Sequence, residues 1–226
     1  MTSSDHTAQM SEDQTKTSMD NMYRWTRHVY DFSRKYYLLG RDQMIDHLDI
    51  KNNEQICEVG CGTARNLIKI ASKYPNGAYY GLDASDEMLK TAQKNLENAQ
   101  ISDRIALKQA FSQSFVPNEL FNLKDPLDKI IFSYALSIIP PWTESLDHAL
   151  ELLPNGGQIH IVDFGSQSDL PKYFRKFLFW WLKKFHVYYK PEILSHLKRM
   201  DMDGKGSLEV HSLYKGYAYR AIFTKA

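Results

Sequence analysis

The sequence predicts an α/β fold: a mostly parallel, seven-stranded sheet with helices on both faces, entered through an N-terminal helical cap. Three observations predict it. Short apolar runs alternate with helical runs from Glu54 to Phe164. The strand runs are continuously apolar, as strands covered on both faces require. A strand, a glycine turn and a helix, "ICEVGCGTARN", open the series, which is the start of a Rossmann-like unit.

The elements follow in order. Residues 1–20 are Ser, Thr, Asp and Gln with little to bury, so a disordered tail is expected there. From residue 21 to the end the chain reads as a single domain. Within it, residues 21–50 form the cap: Trp25, Val29 and Phe32 fall at helical spacing, and Gly40 punctuates two helices. "EQICEVG" is a strand and "ARNLIKIASKYP" a helix closed by Pro75. "AYYGLDAS" is a strand, "DEMLKTAQKNLENA" a helix and "RIALKQA" a short strand. "LDKIIFSYALS" is a strand, "WTESLDHALELL" a helix and "GGQIHIVDF" a strand. The tail "GSLEVHSLYKGYAYRAIFTKA" gives two more strands around a Lys-Gly turn. Residues 165–200 interrupt the alternation with a basic, aromatic helical insertion, expected to act as a lid.

Composition excludes several classes. Lys plus Arg (28) nearly balances Asp plus Glu (27), so no global field points to nucleic acid. Only two cysteines, Cys57 and Cys61, are present. That suits reduced thiols and a cytoplasmic setting, and a lone CxxxC pair without a histidine pair makes a poor metal site. The N-terminus lacks the basic start and apolar centre of a signal peptide. No apolar run reaches the ~20 residues of a membrane span. Ser-His-Asp, HExxH and paired-carboxylate motifs are absent from the sequence.

The chemistry concentrates after the first strand. Gly60 and Gly62 permit a tight turn and close approach of backbone to a ligand, and the following helix N-terminus offers N–H groups and a positive dipole end. Asp83 ends the second strand about 20 residues later, where an acid bonds ribose hydroxyls. Ser85 and Asp86 serve better as the next helix cap. Ala84 and Met88 follow, Met88 placed either on a purine face or in the core. Glu58 beside the loop would repel a pyrophosphate but could hold a sulfonium and an amino group. The fourth strand ends at "FSYALSIIPPW", so Ser133, Tyr134, Ser137 and Trp142 are candidate contacts beyond the strand ends; simple packing is the competing role for Tyr134 and Trp142. Asp163 ends the fifth strand and is a candidate for the same cleft.

These residues resemble the class I S-adenosylmethionine-dependent methyltransferases: an acid, a glycine-rich turn and a ribose acid on the second strand, with Ala64 in place of the usual third glycine. The resemblance covers Glu54 to Phe164. It implies S-adenosyl-L-methionine as cofactor, held by Glu58, Gly60, Gly62, Ala64, Asp83, Ala84, Met88 and the stretch Gln109-Ala110-Phe111, with Ser133 and Tyr134 at the reacting end. The absence of a hydrolytic motif fits, because methyl transfer from an activated sulfonium needs chiefly alignment, worth ~7–11 kcal/mol.

A narrower resemblance lies in "MYRWTRHVYDFSRKYYLLGRD", "SYALSIIPPW" and "VDFGSQSDLPKYFRKFLFWWLKKFHV". Together they look like the bacterial betaine-lipid N-methyltransferases, which trimethylate the amine of diacylglyceryl-homoserine. That resemblance implies that Tyr23, Tyr30, Tyr36, Tyr37 and Arg41 cap cofactor or headgroup, Arg41 as partner of a carboxylate. Between Pro171 and Pro191 stand nine aromatic residues and six Lys or Arg, without Asp or Glu. On a helix, Phe174, Phe177, Leu178, Trp181, Leu182 and Phe185 share one face, with Lys176 and Lys183 opposite and Phe179 and Trp180 on the flanks. Aromatics beside lysines suit an anionic membrane interface, which would place the protein at the inner face of the membrane. Core packing or a dimer interface is the competing role. Two other functions stay open: a methyltransferase for a soluble small molecule, and a catalytically silent cofactor-binding protein.

Overall fold

The computed structural model describes residues 38–170, 173 and 189–226. Helix α1 (Arg41–Asp46) precedes a run of alternating elements: β1 (Gln55–Val59), α2 (Arg65–Lys73), β2 (Ala78–Asp83), α3 (Asp86–Asn98), β3 (Ile105–Gln109), α4 (Pro117–Phe121), β4 (Lys129–Ser133), α5 (Trp142–Leu152) and β5 (Gln158–Phe164). Helix α6 (Pro191–Met202) and the hairpin β6 (Gly206–Leu213) and β7 (Ala218–Lys225) complete the described chain.

Among the described residues seven strands form one sheet in the order β3-β2-β1-β4-β5-β7-β6. β1 to β5 are mutually parallel, and β7 runs antiparallel to β5 and β6. The mostly parallel sheet and closing hairpin are as the sequence predicts. The strand order reverses between β1 and β4, so the crevice beyond their carboxyl ends is where a ligand is expected.

Two apolar layers sandwich the sheet, as continuous apolar strands demand. One gathers Ile56, Leu67, Ile70, Tyr79, Ala92, Val162 and Phe164 under α1, α2 and α3. The other gathers Val59, Phe132, Leu146, Leu150, Ile161, Leu197 and Phe223 with α5 and α6. Helix α6 buries Ile193, Leu197 and Met200. The last part of the expected 165–200 insertion falls in this helix, which opens with a proline in its first turn.

The described part of the cap is α1. It is fixed to α2 by ion pairs from Asp42 to Arg65 (2.8 Å) and Lys69 (3.0 Å), and from Asp46 to Lys73. Residues 21–37 of the expected cap, the expected tail and most of the aromatic run, with Tyr23, Tyr30, Tyr36, Tyr37, Lys176, Phe177, Phe179, Trp180 and Lys183, lie outside the described residues. No helix among the described residues is long and apolar enough to cross a membrane.

Candidate active site

The glycine turn bends through left-handed backbone at three positions. Gly60 has φ +71°, Gly62 +53° and Ala64 +60°. A Cβ on Gly60 would come within 3.0 Å of the Ala135 methyl, so both the dihedral and the space there call for glycine. Ala64 is a different matter. It occupies a conformation that costs an L-residue ~1–2 kcal/mol, so the alanine is a strained substitute for glycine.

The turn closes a cavity of about 640 Å³, lined by Leu38, Arg41, Glu58, Gly60, Cys61, Gly62, Thr63, Arg65, Asn66, Lys69, Thr91, Asn95 and Ser133. Glu58 is 1% exposed. Its Oε1 accepts a 2.7 Å hydrogen bond from the Asn66 amide, while Oε2 has no partner among the described residues. Burial pushes its carboxyl up to about 7, with Arg41 and Arg65 nearby pulling the other way. Ser133, at the end of β4, also carries a buried hydroxyl oxygen without a partner among the described residues. Arg41 is buried in the same wall and donates from Nε to the Leu38 carbonyl at 3.0 Å. Five of the residues singled out from sequence thus meet at one cavity: Arg41, Glu58, Gly60, Gly62 and Ser133.

A second group lies beside it along β2 and β3 and does not line it. Asp83 is buried and holds the turn itself: Oδ2 accepts from the Gly62 N–H and Oδ1 from the Ser85 N–H, both at 2.9 Å. Ser85 caps α3 through the Met88 N–H, at 3.3 Å, as the sequence indicates. Met88 is buried. The Gln109 amide nitrogen donates to the Ala84 carbonyl at 2.8 Å, and the Ala110 N–H donates to the Asp83 carbonyl at 3.2 Å. Ala110 and Phe111 are half-buried next to them. Asp83 therefore joins the two groups, and its oxygens, each with two lone pairs, combine a structural duty with any ligand bond.

Four expected contacts, Tyr134, Ser137, Trp142 and Asp163, sit elsewhere. Tyr134 is 1% exposed, at φ +55°, and its hydroxyl donates to the Leu39 carbonyl; its ring meets Phe164 edge-on at 4.6 Å. It anchors the cap rather than facing the cavity. Trp142 opens α5 and packs edge-on against His196 of α6 at 5.8 Å. Asp163 is buried on the opposite sheet face, where Oδ2 accepts from the Ser137 N–H (3.0 Å) and Oδ1 from the Phe164 N–H (2.8 Å). Asp163 departs because side chains alternate along β5; Tyr134 lies past the end of β4 and Trp142 in the first turn of α5, and the packing of those segments decides their partners. Sequence reasoning in turn missed Asn66, Arg65 and Lys69. Their place in the first turns of the helix after the glycines was the available signal.

A family model described as a methyltransferase domain matches residues 50–209. An uncharacterized protein of Methanocaldococcus jannaschii is 27% identical over 177 residues, covering 76% of this chain and 46% of that protein. The demethylmenaquinone methyltransferase of Listeria welshimeri is 23% identical over 159 residues, covering 70% of this chain and 61% of that protein. The chain thus spans roughly half to three-fifths of the length of these curated relatives. Among solved structures, the plantazolicin methyltransferase BpumL, in complex with a triazolic desmethylPZN analog and SAH, superposes with TM-score 0.66 at 13% identity, covering 95% of this chain and 98% of that one. An S-adenosylmethionine-dependent methyltransferase from Methanococcus maripaludis, itself described as putative, gives TM-score 0.61 at 17% identity, covering 100% and 98%. The family match spans most of the domain, and the chain belongs to the methyltransferase-domain family; its fold is that of these two methyltransferases.

Proposed function

We propose that the chain transfers a methyl group from S-adenosylmethionine to an amine. One observation carries the reading: the buried, unpartnered Oε2 of Glu58 at the edge of the glycine turn. A buried carboxylate oxygen without a partner is costly, and the amino and sulfonium groups of S-adenosylmethionine are cations that would satisfy it. The residues present fit that cofactor. Glu58 and Arg41 would hold the amino-acid end, Gly60 and Gly62 would leave room for it, and Asp83 would accept from the ribose hydroxyls. Met88, Gln109, Ala110 and Phe111 would border the adenine. When bound, the cofactor supplies a methyl group on an activated sulfonium. The protein's part is to hold the acceptor in line behind that methyl, to exclude water, and to offer Ser133 at the end of β4 as a hydrogen-bonding group for the acceptor.

As acceptor we propose the amine of diacylglyceryl-homoserine, methylated up to three times. The support is the sequence resemblance in Met22–Asp42, Ser133–Trp142 and Val162–Val187. By the same resemblance the tyrosines Tyr23, Tyr30, Tyr36 and Tyr37 cap the site, and Phe177, Phe179, Trp180, Lys176 and Lys183 meet an anionic bilayer that presents the lipid. A soluble small-molecule acceptor is the second reading. It is favoured by solved neighbours named for small molecules, such as the family 2 O-methyltransferase in complex with apigenin.

The test is incubation with S-adenosylmethionine and diacylglyceryl-homoserine in anionic vesicles, followed by mass spectrometry of the lipid. Mass steps of one, two and three methyl groups support the proposal. Binding of the cofactor with no lipid product leaves the soluble acceptor. No binding of the cofactor in calorimetry overturns both. Vesicle co-sedimentation of wild type against a Phe179→Ser, Trp180→Ser variant tests the membrane contact, and equal binding by the two overturns it.

A further inference from the structure

The turn after β4, Tyr134 to Ile139, abuts the glycine turn, with the Ala135 methyl against Gly60, which lines the cavity. Two charged groups hold it from the far face of the sheet. Asp163 of β5 accepts the Ser137 N–H at 3.0 Å. Lys190, the residue before α6, directs its ammonium at two carbonyls of the same turn, Leu136 at 3.2 Å and Ile139 at 3.4 Å. Lys190 and Asp163 also attract each other: burial holds the Lys190 pKa below its ordinary value, and Asp163 and Glu192 offset part of that. Tyr219 of β7, the register partner of Asp163, completes the cluster. Its hydroxyl and that of Ser137 are buried without partners among the described residues.

We propose that Lys190 and Asp163 are positioning residues that clamp the turn after β4 and so set the clearance between Ala135 and Gly60 at the cofactor cavity. The geometry supports a clamp in place of general packing. The turn's carbonyls at Leu136 and Ile139 and its N–H at Ser137 are gripped by opposite charges, each at the right end of a peptide dipole. Charge-assisted bonds of this kind are about twice as strong as neutral ones. The clamp also links this turn to Lys190 at the start of α6, so that residue is mechanically coupled to the site. Only the function served by the turn rests on the methyltransferase reading; the clamp itself stands on these contacts.

The test is hydrogen exchange by mass spectrometry on the full chain, comparing wild type, Lys190→Met and Lys190→Arg. Lys190→Met is expected to lose about tenfold of the protection in residues 135–139, with β1 and β7 unchanged. Lys190→Arg is expected to restore most of it, because a guanidinium can donate to the same two carbonyls. Unchanged exchange in Lys190→Met, equal loss throughout the sheet, or failure of the arginine to restore protection overturns the clamp. Calorimetry with S-adenosylhomocysteine separates the two claims. Lys190→Met is expected to bind it several-fold more weakly than wild type, and equal affinity overturns the link to the cavity. A wild type that does not bind it sinks the methyltransferase reading, while the exchange result still decides the clamp.

Discussion

Glu58 and Asn66 share a 2.7 Å hydrogen bond that fixes the carboxylate at the cavity wall and occupies only one of its oxygens. The strand supplies the acid and the first turn of α2 supplies the amide, so the glycine turn between them sets their spacing.

The pH behaviour of Glu58 follows from its burial. Its folded pKa of about 7 lies above the ~4.3 of an unfolded glutamate. The folded state then binds more protons between those values, so the ligand-free protein loses stability as pH rises from about 4.5 to about 7. Glu58→Gln is expected to flatten that part of the thermal-denaturation profile. Cofactor binding should run the other way, because a cationic ligand favours the ionised carboxylate: wild-type affinity rises from pH 6 to pH 8. Glu58→Gln is expected to weaken binding about tenfold to a hundredfold, the value of a charge-assisted bond, as read by calorimetry at pH 8.

Asp83 tethers the turn whether or not a ligand is present. Asp83→Ala removes two acceptors for buried N–H groups, at Gly62 and Ser85. The expected loss is roughly 2–4 kcal/mol in urea denaturation without any cofactor. A residue used only for the ribose would leave the ligand-free stability unchanged, so this measurement separates the two roles.

How much of this was legible in the sequence varies with the physics of each feature. The strand of Gln55–Val59, the glycine turn and the acid at Asp83 are local patterns of hydrophobicity and backbone freedom, and they read directly. Asp163 and Tyr134 are legible as strand-end residues but not in their partners. Asp163 points to the far face because the pleat alternates, and the Tyr134 hydroxyl meets Leu39 through a contact 95 residues apart. From sequence Lys190 reads as one more lysine of a basic run; its placement, half-buried against the turn after β4, arises only when α6 packs on the sheet. Trp142 likewise follows α5 into the layer it shares with α6.

Ala64 offers a test of stored strain. Replacing it with glycine relieves ~1–2 kcal/mol of left-handed strain and forfeits one buried methyl, worth ~0.8 kcal/mol, besides adding freedom to the unfolded chain. The net change is expected to stay within about 1 kcal/mol. Ala92, equally buried but inside α3, has no strain to release. Ala92→Gly is expected to cost about 2 kcal/mol, from the same methyl plus ~1 kcal/mol of helix propensity. Paired denaturation curves of the two variants give the comparison.

Tyr134→Phe separates anchoring from chemistry. The substitution keeps the ring against Phe164 and deletes only the hydroxyl, which leaves the Leu39 carbonyl without its donor. An acceptor abandoned in a buried setting costs ~1–3 kcal/mol, so the thermal midpoint should fall. Leu39 lies between Leu38 and Gly40, and Leu38 lines the cavity, so the cap's grip on the site should loosen with it and its backbone amides should exchange faster. The glycine turn is held by Asp83 and not by Tyr134, so affinity for S-adenosylhomocysteine is expected to remain within about threefold of wild type, a shift under 1 kcal/mol. Unchanged stability combined with a large loss of methyl transfer would instead place the hydroxyl among the reacting groups.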